Sequence, residues 1–316
     1  MIVTYHPVKM PLRHTFTIAH GSTSVQESFI VELSHDGKSG FGEATANPYY
    51  GVTVPKMTEQ LESVRSLIES GSWKTPEEFH QALLSTGKLK AFTLCALDLA
   101  FNDLYGKLQG KPLYKIWGLD GSKGPISNYT IGIDTVENMV AKMKEVPWPL
   151  YKIKLGTKED IRIIEELRKN TDAVFRVDAN CAWGVDETIA NSRALKKLNV
   201  QFIEQPLKAD DLDGMKRVFA ESELPVIADE SCQVEADVDK CFNHFHGINI
   251  KLTKCGGLTP ARRMIARARE LNMSVMMGCM TESSVGISVG GRSCQWCTGY
   301  SEWTDFSQRK WHRCQP

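Results

Sequence analysis

The sequence lacks several features that mark particular classes of protein. Its 316 residues carry 38 Lys+Arg and 38 Asp+Glu, so there is no excess of charge for binding nucleic acid or an anionic membrane. No apolar run is long enough to span a bilayer, and no secretory signal opens the chain. The cysteine count is odd, at nine. Six of these cysteines lie singly in predicted elements, which argues against a disulfide framework: Cys95, Cys181, Cys232, Cys241, Cys255 and Cys279. We therefore expect a cytoplasmic protein with no nucleic-acid or membrane partner.

Residues 1–118 predict an α+β domain. Apolar and polar residues alternate up to about residue 45, which indicates a small antiparallel sheet with a turn at His35-Asp36-Gly37. Helical periodicity follows over 57–71 and 76–118. The clearest helix has one apolar face, made of Leu94, Leu97, Ala100, Phe101 and Leu104.

After Gly118 short β-branched runs alternate with helical segments, which predicts parallel βα units over 119–288. Seven strands are predicted: 128–133, 151–156, 174–180, 201–206, 225–231, 247–252 and 273–280. No G-x-G-x-x-G turn opens the series, so a (β/α) barrel fits better than a doubly wound dinucleotide fold, which stays the alternative. The predicted fold class is α/β: a TIM-like barrel of the (β/α)7β type with an N-terminal α+β capping domain.

Ionisable side chains recur near the carboxyl ends of these strands, at spacings of 22 to 26 residues. They are Lys152, Lys154, Asp178, Asn180 (a neutral companion of Asp178), Glu204, Asp229, Glu230 and Lys251. A lone Asp in such a place is usually a helix cap and a lone Lys a solvated charge. Ionisable residues at equivalent positions near the ends of five successive strands instead predict one site at the mouth of a barrel. Asp178, Glu204 and Asp229 would repel one another without a cation, and hard oxygen ligands point to Mg²⁺, with Mn²⁺ as a substitute.

The lysines predict proton transfer at a carbon next to a carboxylate. Lys152 and Lys154 leave the same face of a strand, and we expect each ammonium to lower the pKa of the other. Lys251 stands four strands from Lys154, across the barrel. Two lysines on opposite faces of one carbon can remove and return a proton, which inverts a stereocentre, while the metal neutralises the charge of the enediolate.

The segments YKIKLG, RVDAN, FIEQP, IADES and NIKLTKCGG, in this order, resemble the enolase superfamily and its muconate-lactonising subgroup, most nearly the dipeptide epimerases. GFGEA and ALDLAFNDLYGKLQGKPLYKIWG resemble the capping-domain signatures of that family. The resemblance implies one Mg²⁺ on Asp178, Glu204 and Asp229. It implies Lys154 and Lys251 as the acid/base pair, with Lys152 as a further catalytic lysine. The substrate would be a dipeptide, and the sequence leaves a homo-oligomer open.

Two loops, 16–24 and 46–53, would cover the site in that family. Members that act on alanyl-glutamate carry an arginine in the first loop, where this chain has Gly21, which argues against an acidic C-terminal residue in the substrate. The candidate substrate-binding residues are His20, Tyr50, Thr130, Lys152, Gly278 and Met280.

Residues 289–316 depart from the family pattern. An eighth strand with a D-x-D for the dipeptide ammonium group is expected there, but the segment contains no Leu, Ile, Ala or Met. Cys294-x-x-Cys297 with His312 and Cys314 is one weak zinc-site interpretation. We favour a frame shift in the gene near codon 289, because another frame through Glu302–Phe306 permits Met-Asp-Gly-Leu. The competing functions are a lyase, o-succinylbenzoate synthase or a cycloisomerase, and an inactive truncated metal-binding homologue.

Overall fold

The chain forms a three-stranded antiparallel sheet with helices, followed by seven parallel strands with helices between them. A computed structural model describes residues 1–120 and 126–293, and for 289–293 the backbone alone. One cluster of buried apolar side chains lies against the first sheet and another inside the second. Within these described ranges, no helix is both long and apolar enough to span a bilayer.

The first sheet follows the predicted alternation. Its strands β1 (Ile2–Ile18), β2 (Gly21–His35) and β3 (Lys38–Thr45) pair antiparallel in chain order. Only Asp36 and Gly37 connect β2 to β3, with φ of 48° and 71°. Two consecutive left-handed residues make a type I′ hairpin turn, and Asp-Gly adopts this conformation at little cost. The predicted turn is confirmed.

Four helices follow the sheet: α1 (Val54–Ser70), α2 (Pro76–Ser85), α3 (Ala91–Leu108) and α4 (Leu113–Ile116). The predicted apolar face of α3 is confirmed, since all five of its residues are buried against the first sheet. The opposite face of α3 places Cys95 and Leu99 in the core of the parallel sheet. Helix α3 is therefore buried on both sides and joins the two cores.

Two glycines of β3 allow α3 to lie directly on the sheet. A Cβ added at Gly42 would lie 2.1 Å from the carbonyl oxygen of Ala96, and one at Gly40 would lie 2.3 Å from that of Ala100. No real side chain tolerates such contacts with backbone. The segment GFGEA is thus a packing signature of this domain.

The seven predicted parallel strands are all present. They are β4 (Tyr129–Ile131), β5 (Leu150–Lys154), β6 (Val174–Asp178), β7 (Val200–Glu204), β8 (Val226–Ala228), β9 (Gly247–Lys251) and β10 (Ser274–Gly278). The helices are α5 (Val136–Glu145), α6 (Asp160–Arg168), α7 (Val185–Lys197), α8 (Leu212–Glu221), α9 (Glu235–Cys241), α10 (Leu252–Cys255), α11 (Leu258–Glu270) and α12 (Ser284–Ser293). Strand order follows chain order from β4 to β10 without the reversal of a doubly wound sheet, so that alternative is wrong. The sheet is an open barrel, and among the described strands β4 and β10 each pair on one side only.

Helix α12 extends past Ser288 into the segment that departs from the family pattern. The backbone of α12 continues as helix to Ser293. The N-terminal turn of α12 is held by Glu43 of β3, whose Oε2 accepts from the backbone N–H groups of Ser283 at 3.1 Å and Gly286 at 2.8 Å. A carboxylate at a helix N-terminus satisfies donors that the helix leaves unpaired. The expected eighth strand and the frame shift concern 289–316, of which the structure describes only the backbone of 289–293, and the zinc interpretation, from Cys294 to Cys314, lies outside the described residues.

Candidate active site

The carboxyl ends of five neighbouring strands bring the predicted ionisable residues together. Lys154, Asp178, Glu204 and Lys251 are the last residues of β5, β6, β7 and β9, and Asp229 directly follows β8. In the parallel pairing Lys154 is the register partner of Asp178, and Asp178 that of Glu204. Side chains at equivalent positions of adjacent strands project from the same sheet edge, so the predicted clustering is observed.

Asp178, Glu204 and Asp229 form a buried acidic cluster. Each offers one carboxylate oxygen within 4.8 Å of the other two, and all three residues are fully buried. Burial raises the pKa of Glu204, and the neighbouring Asp178 carboxylate raises it further. This repulsion is what a cation between the oxygens would relieve, and the all-oxygen donor set fits a hard divalent ion. The residues present therefore fit a metal.

The three predicted lysines all contact the acidic cluster. Lys152 Nζ lies 2.9 Å from Asp178 Oδ2 and 2.6 Å from Glu204 Oε2. Lys154 Nζ lies 2.6 Å from Asp178 Oδ2, and Lys251 Nζ lies 2.5 Å from Asp229 Oδ2. The two predicted bases therefore approach the cluster from opposite flanks.

The pKa of Lys152 departs from the expectation. Burial lowers it, but Asp178 and Glu204 raise it more, so the net pKa lies above the usual value. The prediction that a second ammonium lowers it is wrong for this lysine, because the carboxylates outweigh that repulsion. The same balance, with Asp229 as the main carboxylate, raises the pKa of Lys251. Conversely, Lys152 and Lys154 overcome the effect of burial on Asp178 and hold its pKa well below the usual range.

Sequence reasoning missed the residues that hold the carboxylates in place. Lys254 Nζ has four oxygens within hydrogen-bonding distance, which share its three N–H groups: Asp229 O at 2.5 Å, Asp229 Oδ1 at 2.6 Å, Cys232 O at 2.9 Å and Asn249 O at 3.2 Å. Asn249 Nδ2 donates to Glu204 Oε1 at 2.7 Å. Asn249 could have been found, since it lies two residues before Lys251 in a strand and shares its face.

Gln205 had no comparable signal in the sequence. Its Oε1 accepts from the backbone N–H groups of Asp229 at 2.8 Å and Ser231 at 3.0 Å. Its φ of 35° turns the chain just after Glu204. The side chain therefore fixes the backbone that presents the third carboxylate, a role that only the tertiary structure reveals.

The two predicted covering loops meet in a stack of rings. His20, in the turn between β1 and β2, stacks on Tyr49 with centroids 5.4 Å apart. Tyr49 meets Tyr50 edge-on at 4.9 Å, and Tyr50 contacts Phe92 at 5.5 Å. Burial raises the pKa of Tyr50, and the negative charge of Asp229 raises it further. Tyr49 was not among the predicted substrate-binding residues.

The other predicted substrate-binding residues lie around the same mouth. Thr130 is the register partner of Lys152, and Gly278 that of Lys251. A Cβ at Gly278 would lie 2.5 Å from Asn249 Oδ1, so this position must be glycine for Asn249 to reach Glu204. Met280 Sδ accepts from Asn47 Nδ2 of the second loop at 3.5 Å. Their contact with substrate stays a prediction.

Comparison with known proteins gives the class of this fold and site. Residues 1–118 match the mandelate racemase / muconate lactonizing enzyme N-terminal domain, and residues 134–309 match the enolase C-terminal domain-like family. The chain belongs to the mandelate racemase / muconate lactonizing enzyme group of the enolase superfamily. The second match passes residue 289, where we placed the frame shift, and the frame shift stays a prediction.

Particular relatives share most of the chain. An L-Ala-D/L-amino acid epimerase of Flavobacterium johnsoniae is 60% identical over 279 residues, which cover 88% of this chain and 83% of the relative. One of the same description from a Maribacter species is 57% identical, covering 91% and 85%. The crystal structure of a dipeptide epimerase from Enterococcus faecalis, complexed with Mg and the dipeptide L-Leu-L-Tyr, has a TM-score of 0.86 at 30% identity, covering 92% of this chain and 86% of that one.

Proposed function

We propose that this chain is a metal-dependent dipeptide epimerase that moves a proton from one face of an α-carbon to the other. The observation that carries the proposal is the placement of Lys154 and Lys251 on opposite flanks of the buried carboxylates Asp178, Glu204 and Asp229. The relatives described as L-Ala-D/L-amino acid epimerases support the same reaction class.

Different residues of the chain carry out proton transfer and metal binding in this reaction. Each of Lys154 and Lys251 takes the α-proton of one epimer from its own face, and the other lysine, protonated, then gives a proton to the opposite face. Asp178, Glu204 and Asp229 would hold one Mg²⁺ per subunit, with Mn²⁺ as a substitute, and Lys152 orients the first two. A bound ion would supply positive charge that stabilises the negative charge developing on the substrate carboxylate as the proton leaves.

We further propose that the ring stack of His20, Tyr49 and Tyr50 covers the substrate, with Thr130, Gly278 and Met280 lining the mouth. An apolar and aromatic cover with Gly21 in place of an arginine favours neutral or apolar C-terminal residues over glutamate. The two relatives, described as L-Ala-D/L-amino acid epimerases and not as L-Ala-D/L-Glu epimerases, agree with this preference. Among the described residues, Cys95, Cys181, Cys232, Cys241 and Cys255 form no disulfide, which supports a reducing, cytoplasmic location.

The test is α-proton exchange in D₂O on a library of L-Ala-L-Xaa dipeptides, followed by NMR and chiral chromatography. Wild-type protein with Mg²⁺ should exchange and invert the α-centre of the C-terminal residue, and EDTA should stop both. Lys154→Ala and Lys251→Ala should each lose inversion, whereas Lys216→Ala, an exposed lysine of α8, should retain it. Inversion by either site variant at near the wild-type rate would refute the two-base assignment.

The same screen separates the alternatives. Turnover of an o-succinylbenzoate precursor without dipeptide epimerisation would favour the lyase. Metal binding without either turnover, despite a folded chain, would favour the inactive homologue.

A further inference from the structure

Asn180 lies between the base Lys154 and a carboxylate, Glu230, that the proposed mechanism does not use. The Lys154 ammonium donates to Asn180 Oδ1 at 3.0 Å, and Asn180 Nδ2 donates to Glu230 Oε1 at 3.3 Å. Asn180 is 3% exposed and Glu230 7%, so water does not provide substitute partners easily. We propose that Glu230 acts through Asn180 to position Lys154 for proton transfer, an inference that rests on the proposed function.

The backbone of Asn180 is held in place, so what remains to be fixed is the orientation of its side-chain amide. The backbone N–H of Asn180 donates to Asp178 Oδ1 at 2.9 Å, and the φ of 44° is a left-handed conformation that asparagine adopts more readily than most residues. With the backbone held in this way, rotation of the amide by a half turn would exchange its oxygen and nitrogen. That exchange would turn the NH₂ toward Lys154 and the oxygen toward Glu230.

The orientation decides whether Lys154 is usable as a base. An amine that takes a proton from carbon needs its lone pair directed at that carbon. With Oδ1 facing it, Lys154 donates an N–H to the amide and keeps the lone pair for substrate. With Nδ2 facing it, the amide would donate to the lone pair and occupy it. In its ionised form Glu230 prevents this, because a carboxylate accepts from the NH₂ group and repels the carbonyl oxygen.

Among the described residues, the hydrogen bonds that start at Glu230 lead through Asn180 to one of the two bases. Glu230 connects through Asn180 to Lys154, whereas Lys251 donates to Asp229 Oδ2 on the other flank. The charge of Glu230 also acts on Lys251, so a variant must separate charge from orientation. The positioning role therefore predicts an asymmetric defect, confined to the epimer that Lys154 deprotonates.

The experiment is α-proton exchange of each epimer in D₂O with the full Mg²⁺-loaded chain. The Lys251→Ala variant retains only Lys154 as a base, so the epimer whose α-proton it still exchanges is the one that Lys154 deprotonates. Glu230→Gln should slow exchange of that epimer about tenfold, the effect of one charge-assisted hydrogen bond, and leave the other epimer within about twofold. Asp210→Asn, which removes an exposed carboxylate near Tyr49, is the charge control and should slow neither epimer.

A second variant restores the acceptor without restoring Glu230. In the double variant Asn180→Asp/Glu230→Gln, either oxygen of residue 180 accepts from Lys154 and the total charge equals that of the wild type. It should recover most of the lost exchange. Equal slowing of both epimers by Glu230→Gln, no slowing of either, or no recovery in the double variant would overturn the positioning role. If the wild type exchanges no dipeptide α-proton, the proposed function fails instead; if the wild type epimerises but neither lysine variant exchanges a single epimer, the two-base assignment fails.

Discussion

Replacing Lys254 by Met should destabilise the barrel more than any surface lysine substitution. Lys254 is 3% exposed, and the three N–H groups of its ammonium are shared among four oxygens of Asp229, Cys232 and Asn249 within 3.2 Å. Methionine fills a similar volume but donates nothing. The variant would leave three buried carbonyls without this donor and the Asp229 carboxylate with Lys251 alone.

The expected cost follows from that geometry. Removing one partner of a buried ion pair costs about 3–5 kcal/mol when the other charge is left unpaired. Lys251 still pairs with Asp229, which reduces that cost, whereas the three carbonyls that lose a donor add to it, so we expect a loss of about 3 kcal/mol. A shift of about 2–4 °C in Tm per kcal/mol, typical of chains of this size or slightly smaller, gives a drop of roughly 10 °C. Urea and thermal unfolding followed by circular dichroism in EDTA would measure it. Lys216→Met, an exposed lysine of α8, is the matched control and should change stability by about 0.5 kcal/mol or less.

Metal should partly rescue the Lys254→Met protein. A cation bound to Asp229 would compensate for some of the lost positive charge, so added Mg²⁺ should raise the Tm of the variant more than that of the wild type. A loss of stability below about 1 kcal/mol in EDTA would refute the view that Lys254 neutralises Asp229 in the fold.

Three further predictions concern the site and its surroundings. Glu204→Gln should abolish Mg²⁺-dependent epimerisation while the circular dichroism spectrum stays native, because one metal ligand loses its charge; undiminished turnover of this variant, or of the wild type in EDTA, would contradict the metal assignment. Burial and the Glu43 carboxylate raise the pKa of Glu282 to about 8. Since the folded state then holds a proton that the unfolded state releases near the ordinary value of 4.5, stability should fall as pH rises between these values, by up to about 1.4 kcal/mol per unit. Glu282→Gln should flatten that part of the profile in urea unfolding from pH 5 to 8, and an unchanged slope would show that Glu282 is not the titrating group. Replacing the residues after Ser288 with the alternative-frame translation should raise both stability and activity, and no gain in either would refute the frame shift.

The local pattern of the sequence determined much of this protein. Period-two alternation and the Asp36-Gly37 pair predicted the first hairpin, and the apolar stripe of α3 predicted its buried face. Spacings of 22 to 26 residues between strand ends placed Asp178, Glu204 and Asp229 on one edge, since parallel βα units repeat with little variation in length.

Only the tertiary structure decided what surrounds those side chains. Lys254 neutralises Asp229 across 25 residues of chain, and Gln205 holds the backbone of the next strand across 24. Asn180, which stands between Lys154 and Glu230, contacts Glu230 across 50 residues. The direction in which the pKa of Lys152 shifts is also decided by the tertiary structure, because it is the balance of burial, three carboxylates and the Lys251 ammonium. A linear pattern records which residue types stand at strand ends, whereas hydrogen-bond partners and net electrostatics are properties of three-dimensional distance.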